Sequence, residues 1–276
     1  MSRRRLPTGR RILEIAVLGS LVVILGASLF APVFAPYDPV SQRLEQRFLP
    51  PGSDGFLFGT DNLGRDILSR VIYGGRSALL VGTVAVALSL LGGTLVGLAA
   101  GLAGRTVDRS LMIVMDAVLS FPTVLLAITI VAAFGYGLGQ VTVALGIVFV
   151  PVYARLVRGE VMAIREEPFV EASKALGTGA FRRVLLHFIP NMLPKLIVQS
   201  AVTFAFAVSI EAALSFLGLG TQPPNPSWGL MLKDARNHLF QSPWLAYFPG
   251  LALAWMILTF NLLGDLLSAL LVEESL

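Results

Sequence analysis

Residues 77–102 read SALLVGTVAVALSLLGGTLVGLAAGL, an apolar run without a charged side chain. The run exceeds the roughly 20 helical residues that cross a hydrocarbon core of about 30 Å, so it predicts a membrane-spanning helix. Within it, Gly97 and Gly101 are spaced as G-x-x-x-G. Small residues at this spacing let a second helix approach closely, and we expect that contact within one bundle rather than at a dimer seam.

Other stretches of the chain meet the same criterion, and the one at Val141–Val157 is the shortest. Together they predict an all-α membrane protein with six transmembrane helices, at Ile12–Phe34, Ser77–Leu102, Leu111–Phe134, Val141–Val157, Leu196–Leu217 and Tyr247–Val272. Pro122 predicts a kink in the third of them. The chain is thereby divided into an N-terminal segment, 1–11, and a transmembrane domain, 12–276. That domain includes polar segments at 35–76 and 218–246 and a hydrophilic loop at 155–195.

Composition excludes several classes of protein. Of the 276 residues, 55% are hydrophobic and 14% charged, with a mean hydropathy of +0.77, whereas soluble domains have about 45–50% apolar and about 25% charged residues. The absence of cysteine excludes disulfides and thiolate chemistry. His187 and His238 are far apart in sequence, so we expect no metal site in this chain. The net charge of +4 is scattered between apolar blocks, which argues against nucleic-acid binding.

The distribution of Lys and Arg predicts the orientation in the membrane. With the N-terminus in the cytoplasm, 14 of the 21 basic residues fall on the inner side, and cytoplasmic loops carry such an excess. Both termini are then cytoplasmic, the segments 35–76 and 218–246 lie outside, and the loop 155–195 lies inside. The first apolar stretch is longer than the roughly 7–15 apolar residues of a signal peptide, so we expect a retained anchor.

The loop 155–195 predicts two short helices joined by a glycine turn. Pro168 suits the first turn of a helix, and Gly177 suits the left-handed residue that ends one. We expect the second helix, about 180–188, to be capped by Thr178 and to end before Pro190. The first helix is expected to have an apolar side formed by Phe169, Val170, Ala172, Ala175 and Leu176.

This loop resembles the EAA loop of ABC importer permeases. Glu171-Ala172-Ser173, Gly177 and Ile189-Pro190 follow one another in the order of the family's pattern, which is EAA, three residues, Gly, nine residues and I-x-L-P. Ser173 stands in place of Ala, His187 in place of the first Ile, and Ile189 in place of Leu. The resemblance implies a type I ABC importer permease fold. It also implies a rigid surface that docks on an ATP-binding subunit, formed by Glu171, Ala172, Ser173, Gly177, His187 and Pro190.

Three further motifs resemble the C-type permease of dipeptide, oligopeptide and nickel importers. They are FGTDNLGRDILSRVIYGGRSALLVG at 58–82, SFLGLGTQPPNPSWGLML at 215–232 and FPGLALAWMILTFNLLGD at 248–265. With the EAA-like loop, the resemblance covers about residues 56–265. The C-terminal GDLLSALLVEESL departs from the family's usual ending.

On their residues alone, the two outer motifs predict ordered turns. Asp61, Arg65 and Asp66 are expected to form a salt-bridged clasp. A structural role for the motifs, holding the outer segment together, is at least as well supported as contact with substrate. Trp228 and Trp244 are expected at the membrane interface. The candidate outer residues are Gly59, Asp61, Gly64, Arg65, Asp66, Gly218, Gly220 and Trp228.

Four polar side chains fall within or near the predicted spans: Asp116, Glu211, Asn261 and Asp265. Such groups normally face the protein interior or a transport pathway. For Glu211 we weigh pathway lining equally with interhelical hydrogen bonding. For the two aspartates we favour ion pairing with Arg105 or Arg109, and for Asn261 a role in helix packing.

The chain has no nucleotide-binding motor of its own. A P-loop requires Gly-Lys-Ser/Thr, and the three lysines, Lys174, Lys195 and Lys233, are followed by Ala, Leu and Asp. The family resemblance therefore implies a non-catalytic permease for di- and oligopeptides, with no bound cofactor and with ATP and Mg on two partner ATP-binding subunits. It further implies a homologous B-type permease, an extracytoplasmic substrate-binding protein and a bacterial or archaeal cytoplasmic (inner) membrane.

Three alternatives remain at this point. A permease for nickel or another small solute has the same motifs, because the binding protein largely sets selectivity. An ion-driven secondary transporter would use Asp116, Glu211 and Asp265 as a relay, but it gives the loop 155–195 no purpose. A membrane-embedded hydrolase lacks a nucleophile or metal constellation near either histidine.

Overall fold

The computed structural model describes residues 8–53 and 55–274, which form a helical bundle with ordered turns on one side. The α-helices are α1 (Thr8–Leu29), α2 (Ala31–Phe34), α3 (Ile67–Leu102), α4 (Arg105–Leu119), α5 (Thr123–Phe134), α6 (Leu138–Val148), α7 (Val150–Arg165), α8 (Pro168–Ala175), α9 (Ala180–Arg183), α10 (Ile189–Phe216), α11 (Trp228–Ala235) and α12 (Trp244–Glu274). The predicted segment 1–11 lies mostly outside the described residues.

The number of spans agrees with the expected six. In the described part of the chain, five helical segments are long and apolar enough to cross a membrane, and α4 with α5 makes a sixth when counted as one span. The limits differ from those expected, and three of the segments extend into stretches that contain arginine, lysine or glutamate. The helical segments in question are Ile67–Leu102, Leu138–Arg165, Ala180–Phe216 and Trp244–Leu271. At Ile67 the second span begins ten residues earlier than predicted, so the outer segment 35–76 includes the start of a helix.

The third expected span is sharply bent rather than kinked. Helices α4 and α5 meet at 92°, with Pro122 at the break. Proline has no N–H and its ring clashes with the carbonyl one turn earlier, so a regular helix cannot pass through it. Ser120 Oγ donates to the Ala117 carbonyl at 2.7 Å, which satisfies a backbone group at the end of α4. Helix α5 alone is about 18 Å long at 1.5 Å per residue, so it is too short to cross a membrane unaided.

Glycines on α3 bring α7 into close contact. A Cβ atom at Gly97 would lie 2.6 Å from Val157 Cβ and 2.7 Å from the Ala154 carbonyl oxygen, and one at Gly101 would meet Val161. Both contacts lie within the bundle, so the expectation for the G-x-x-x-G pair is confirmed. Without side chains at these positions, α3 and α7 make the most extensive helix contact of the fold.

We predict that Gly97→Leu destabilises this contact. The nearest atoms belong to the backbone and Cβ of α7, which cannot rotate away, and overpacking of this kind costs about 1–3 kcal/mol. Thermal unfolding of the detergent-solubilised protein measures the effect. Gly159→Leu on α7 is the matched control, because a Cβ there meets nothing within 4 Å. Equal melting temperatures for the two variants would contradict the prediction.

The second short helix does not end before Pro190, contrary to expectation. Helix α9 passes through a π-turn at Val184–Phe188 directly into α10. In the π-turn the Ile189 N–H bonds to the Val184 carbonyl, and the Asn191 side-chain amide donates to the His187 carbonyl at 2.6 Å. The wider turn accommodates a residue without an N–H, so the helix continues into the membrane as one rod.

Candidate functional site

The loop 155–195 is anchored to the bundle through one side of α8. Val170 is fully buried in an apolar cluster that includes Tyr153, Val161 and Phe188. Ser173 is also buried, and its hydroxyl has no hydrogen-bond partner among the described residues. Ser173 therefore faces the bundle, which corrects the expectation that it forms part of the docking surface.

Helix α8 ends in the glycine turn that the sequence predicts. Gly177 has φ +75°, its N–H bonds to the Lys174 carbonyl at 2.9 Å, and the Thr178 N–H bonds to the Ser173 carbonyl at 3.1 Å. These two bonds form a Schellman motif, which satisfies carbonyls left free at the end of a helix. The expected cap by Thr178 is wrong, since α9 begins after Gly179 without a side-chain cap. Instead, the Thr178 carbonyl accepts from the Arg183 guanidinium.

The free surface of the loop is apolar at its tip. Leu176 is 85% exposed and Phe181 is 77% exposed, while Glu171 and Ala172 beside them are also exposed. The expected apolar side of α8 is thus split, because only Val170 of the apolar set is buried in the bundle. Large apolar side chains held at a tip, with a carboxylate nearby, make a surface suited to a protein partner. His187 lies half-buried at the base of the loop, its ring 5.6 Å from that of Phe169, and Pro190 is exposed.

Ion pairs connect α7 to the elements around the loop. Asp108 on α4 accepts from the Arg158 guanidinium, with Nη2 and Oδ2 2.7 Å apart. Glu160 accepts from Lys195 at 2.7 Å. Asp116 pairs with Arg155 at 2.6 Å, so its partner is not Arg105 or Arg109, as expected. That pair is more than half exposed and contributes at most about 1 kcal/mol.

The outer clasp predicted around Asp61 is present and larger than expected. Asp61 Oδ2 lies 2.6 Å from Arg65 Nε and 3.5 Å from Arg70 Nε. Arg70 is 1% exposed and also donates to the Pro39 carbonyl at 2.9 Å. Asp66 is not a partner of Arg65 but the cap of α3, accepting from the Ser69 N–H at 2.8 Å and its hydroxyl at 2.6 Å. Sequence reasoning did not select Arg70, because nothing in its local pattern marks it as buried.

The clasp also holds α11. Arg65 Nη2 lies 3.7 Å from Asp234 Oδ2. Burial raises the pKa of Asp234 above its ordinary value, and the positive charges of Arg65 and Arg70 oppose that shift. A network of two arginines and two aspartates thus joins the segment 35–66, the start of α3 and α11.

Two outer glycines permit close approach of the backbone. Gly64 has φ +73°, and a Cβ there would lie 3.1 Å from Arg43 Cα. At Gly59, with φ +77°, a Cβ would lie 3.0 Å from the carbonyl carbon of Pro50. The absence of a side chain at both glycines therefore allows the segment 35–66 to fold back on itself. Gly218 ends α10 with the same pair of hydrogen bonds as Gly177, and Gly220 packs against Ser215.

Trp228 does not lie at an interface with lipid. It is 6% exposed, it packs among Ile67, Leu79 and Leu245, and its indole N–H donates to the Val71 carbonyl at 2.9 Å. Its role is to fasten α11 to α3. Local sequence could not indicate this, because the contact joins residues 157 positions apart.

The intramembrane polar residues do not form a common site. Glu211 is 2% exposed and accepts from Ser215 at 2.6 Å and from Thr221 at 3.5 Å, so it fixes the end of its own helix rather than lining a pathway or joining two helices. Asn261 is half-buried and Asp265 exposed on α12. Neither has an ion-pair or side-chain hydrogen-bond partner among the described residues. Gly264 packs closely on Val202. Within 8–53 and 55–274, no group of three acidic or histidine side chains could hold a metal ion.

Comparisons with known proteins agree with this architecture. The family model for the binding-protein-dependent transport system inner membrane component matches residues 93–274. The di/tripeptide transport system permease protein DppC of Pseudomonas aeruginosa is 42% identical over 250 residues, covering 89% of this chain and 82% of the relative. The dipeptide transport system permease protein DppC of Escherichia coli K12 is 43% identical over 257 residues, with coverages of 91% and 86%. A chain of the inward-facing MetNI methionine ABC transporter has the same fold, with a TM-score of 0.59 at 19% identity, covering 71% of this chain and 93% of that one.

Proposed function

The chain belongs to the family of binding-protein-dependent transport system inner membrane components, and on that premise we propose that it forms half of the translocation pore of an ATP-driven peptide importer. It is a multi-pass membrane protein with the fold of an ABC importer permease, as its sequence predicts. The relatives at about 40% identity are named as transport permeases for dipeptides and tripeptides. Those names favour short peptides over nickel as the substrate.

The observation that carries the proposal is the exposed apolar tip of the loop 155–195. Leu176 and Phe181 are almost fully exposed to solvent on a loop that is rigidly fixed by the buried Val170, the Gly177 turn and the continuous α9–α10 rod. A rigid apolar tip transmits motion when it sits in a pocket of a partner. We propose that each ATP-binding subunit of the complex receives such a tip, and that ATP and Mg bind there and not on this chain.

The remaining parts of the proposal concern the other partners and the membrane. A homologous second permease completes the pore, two ATP-binding subunits dock on the cytoplasmic loops, and an extracytoplasmic binding protein delivers the peptide to the outer segments. Closure of the two ATP-binding subunits would move the loops as rigid bodies and open the pore outward. The membrane is the cytoplasmic (inner) membrane of a bacterium or archaeon.

An ion-driven transporter is not favoured by the geometry. Its relay would need Asp116, Glu211 and Asp265 to communicate. Asp116 is paired with Arg155 on an exposed surface, and Glu211 is closed off by hydroxyl groups of its own segment. Asp265 is exposed on a different helix, α12. These three carboxylates therefore form no continuous path.

Affinity purification from the native membrane tests the function. We expect a second permease and one or two Walker-motif ATPases to co-purify with the tagged chain, and the complex to take up dipeptides. Phe181→Asp should remove the ATPases while retaining the second permease, because a charge at the tip opposes burial in the partner's pocket. Mass spectrometry of the purified material measures both recoveries.

The matched control is Phe240→Asp, which changes a fully exposed phenylalanine in the outer segment 218–246. This variant should retain both the second permease and the ATPases. Recovery of the chain alone, folded and without ATPases, would contradict the proposal and favour an ion-driven transporter. Uptake of nickel without uptake of peptides would retain the importer and replace its substrate.

A further inference from the structure

A cavity lined by both polar and apolar groups opens on the outer side of the bundle, between the start of α3, the turn joining α5 to α6 and the segment 221–226. It is lined by Tyr73, Arg76, Gly137, Thr221, Asn225 and Pro226, among others, and encloses about 330 Å³. Sites for small ligands have volumes of about 300–1,000 Å³. The cavity is therefore of a size for a molecule such as a dipeptide, and it is separate from the clasp around Asp61.

Hydrogen-bond donors without partners face this cavity. Arg76, the Tyr73 hydroxyl and the Asn225 amide make no side-chain hydrogen bond or ion pair with any described residue. Arg65 and Arg70, the other two arginines of the same motif, are buried and paired with aspartates. Arg76, in contrast, is exposed and available to an external acceptor.

The walls of the cavity are held in place by internal hydrogen bonds. The Ser77 hydroxyl donates to the Pro226 carbonyl at 3.1 Å, the Gly137 N–H donates to the Leu219 carbonyl at 3.1 Å, and the Gln222 amide donates to the Gly220 carbonyl at 2.9 Å. The segment 221–226 is fixed at its start by Thr221, whose N–H donates to Ser215 Oγ at 3.0 Å. The backbone around the cavity is thus held in place before a ligand binds, and the ordering that binding requires falls on the exposed side chains of Arg76 and Asn225.

We propose that this cavity binds the C-terminal carboxylate of a short peptide, with Arg76 as the residue that recognises it. A guanidinium presents two parallel N–H groups that match a carboxylate, and the Tyr73 hydroxyl and Asn225 amide add neutral donors. Leu138, Pro223 and Pro226 supply apolar surface for a peptide side chain. The inference rests on the proposed function and names the point at which the pore first contacts the peptide released by the binding protein.

Arg76→Gln in the complete transporter, reconstituted in proteoliposomes with its binding protein and dialanine as the probe, tests this site. We expect the maximal rate of uptake to fall about tenfold or more, since a hydrogen bond to a charged group is lost. The concentration of dialanine-loaded binding protein that half-maximally stimulates the ATPase should stay unchanged. Arg47→Gln, which alters an exposed outer arginine away from the cavity, is the matched control and should leave the maximal rate of uptake unchanged.

A second readout keeps the test independent of the binding protein. In saturation-transfer NMR on the solubilised complex alone, dialanine should give a stronger signal than dialanine amide, and Arg76→Gln should abolish that difference. Equal uptake rates and equal NMR signals for Arg76→Gln and the unaltered protein would overturn the site. A shift in the half-maximal concentration of binding protein, with an unchanged maximal rate of uptake, would show that Arg76 pairs with an acidic side chain of the binding protein. That result would also overturn the peptide site. Failure of the unaltered complex to transport any peptide would instead contradict the proposed function.

Discussion

Asp61→Asn is expected to lower the free energy of unfolding of the outer segments by about 3–5 kcal/mol. Asp61 is the carboxylate between Arg65 and Arg70, which are 5% and 1% exposed. Asparagine retains the shape of the side chain and an acceptor for the Leu63 and Arg65 N–H groups. The substitution removes the charge and puts an amide NH2 donor in place of the Oδ2 atom that accepts from the Arg65 guanidinium. Two buried guanidinium groups then face each other, with only Asp234 at 3.7 Å from one of them. Leaving buried charges uncompensated is what makes this loss large.

Hydrogen exchange of the segment 35–66 and thermal unfolding in detergent measure this effect. Asp38→Asn is the matched control, because Asp38 is an exposed residue of the same segment and its loss should change stability little. Adding Arg70→Met to Asp61→Asn should recover part of the loss, since it removes one of the two unpaired buried cations. If Asp61→Asn and Asp38→Asn behaved alike in both assays, the clasp would not stabilise the outer segments.

The spans could be predicted from sequence because the bilayer imposes a length and an apolarity that each segment must satisfy by itself. The bend at Pro122 was predictable as a break for the same local reason, although its angle of 92° depends on how α4 packs. The turn at Gly177 was predictable because the left-handed conformation selects glycine. In all of these, the cause lies within a few residues of the effect.

The features that sequence reasoning missed depend on distant contacts. The sequence places Arg70 in the outer segment 35–76 without indicating that it is buried, where it donates to the Pro39 carbonyl and pairs with Asp61. Tryptophan is common at membrane interfaces, but Trp228 lies in the interior, where its indole N–H donates to the Val71 carbonyl. Asp116 was assigned to the arginines nearest in sequence, whereas α7 brings Arg155 beside it. The rule that proline ends a helix is wrong at Pro190, because the wider π-turn before it accommodates a residue that has no N–H, and the helix continues.

The second large effect is expected at Gly177. Gly177→Val should abolish peptide uptake and its stimulation of ATP hydrolysis, while the protein still inserts in the membrane. Gly177 has φ +75°, and a residue with a Cβ in the left-handed region is strained by about 1–2 kcal/mol, more for a β-branched one. A Cβ at this position meets no other atom of the described chain within 4 Å, so within this chain the strain of the backbone is the expected cause of the effect.

This strain acts on a small element. Helix α8 has eight residues and is buried only through Val170 and Ser173. The strain is therefore a substantial fraction of the free energy that stabilises the conformation of the loop. A loop that loses its shape no longer presents Leu176 and Phe181 together, and motion of the ATPases would not reach the pore. Uptake of a labelled dipeptide and ATPase activity in proteoliposomes, both normalised to inserted protein, measure the uncoupling.

Two controls separate the conformation of the turn from the mere presence of a side chain. Gly177→Asn should retain much of the uptake, because asparagine adopts the left-handed conformation more readily than valine. Gly179→Val places the same side chain two residues away, where φ is −61° and a Cβ meets nothing within 4 Å, so it should leave uptake nearly unchanged. If valine at 177 and at 179 reduced uptake equally, the bulk of the side chain at the tip would be responsible. The left-handed turn would then have no special part in coupling.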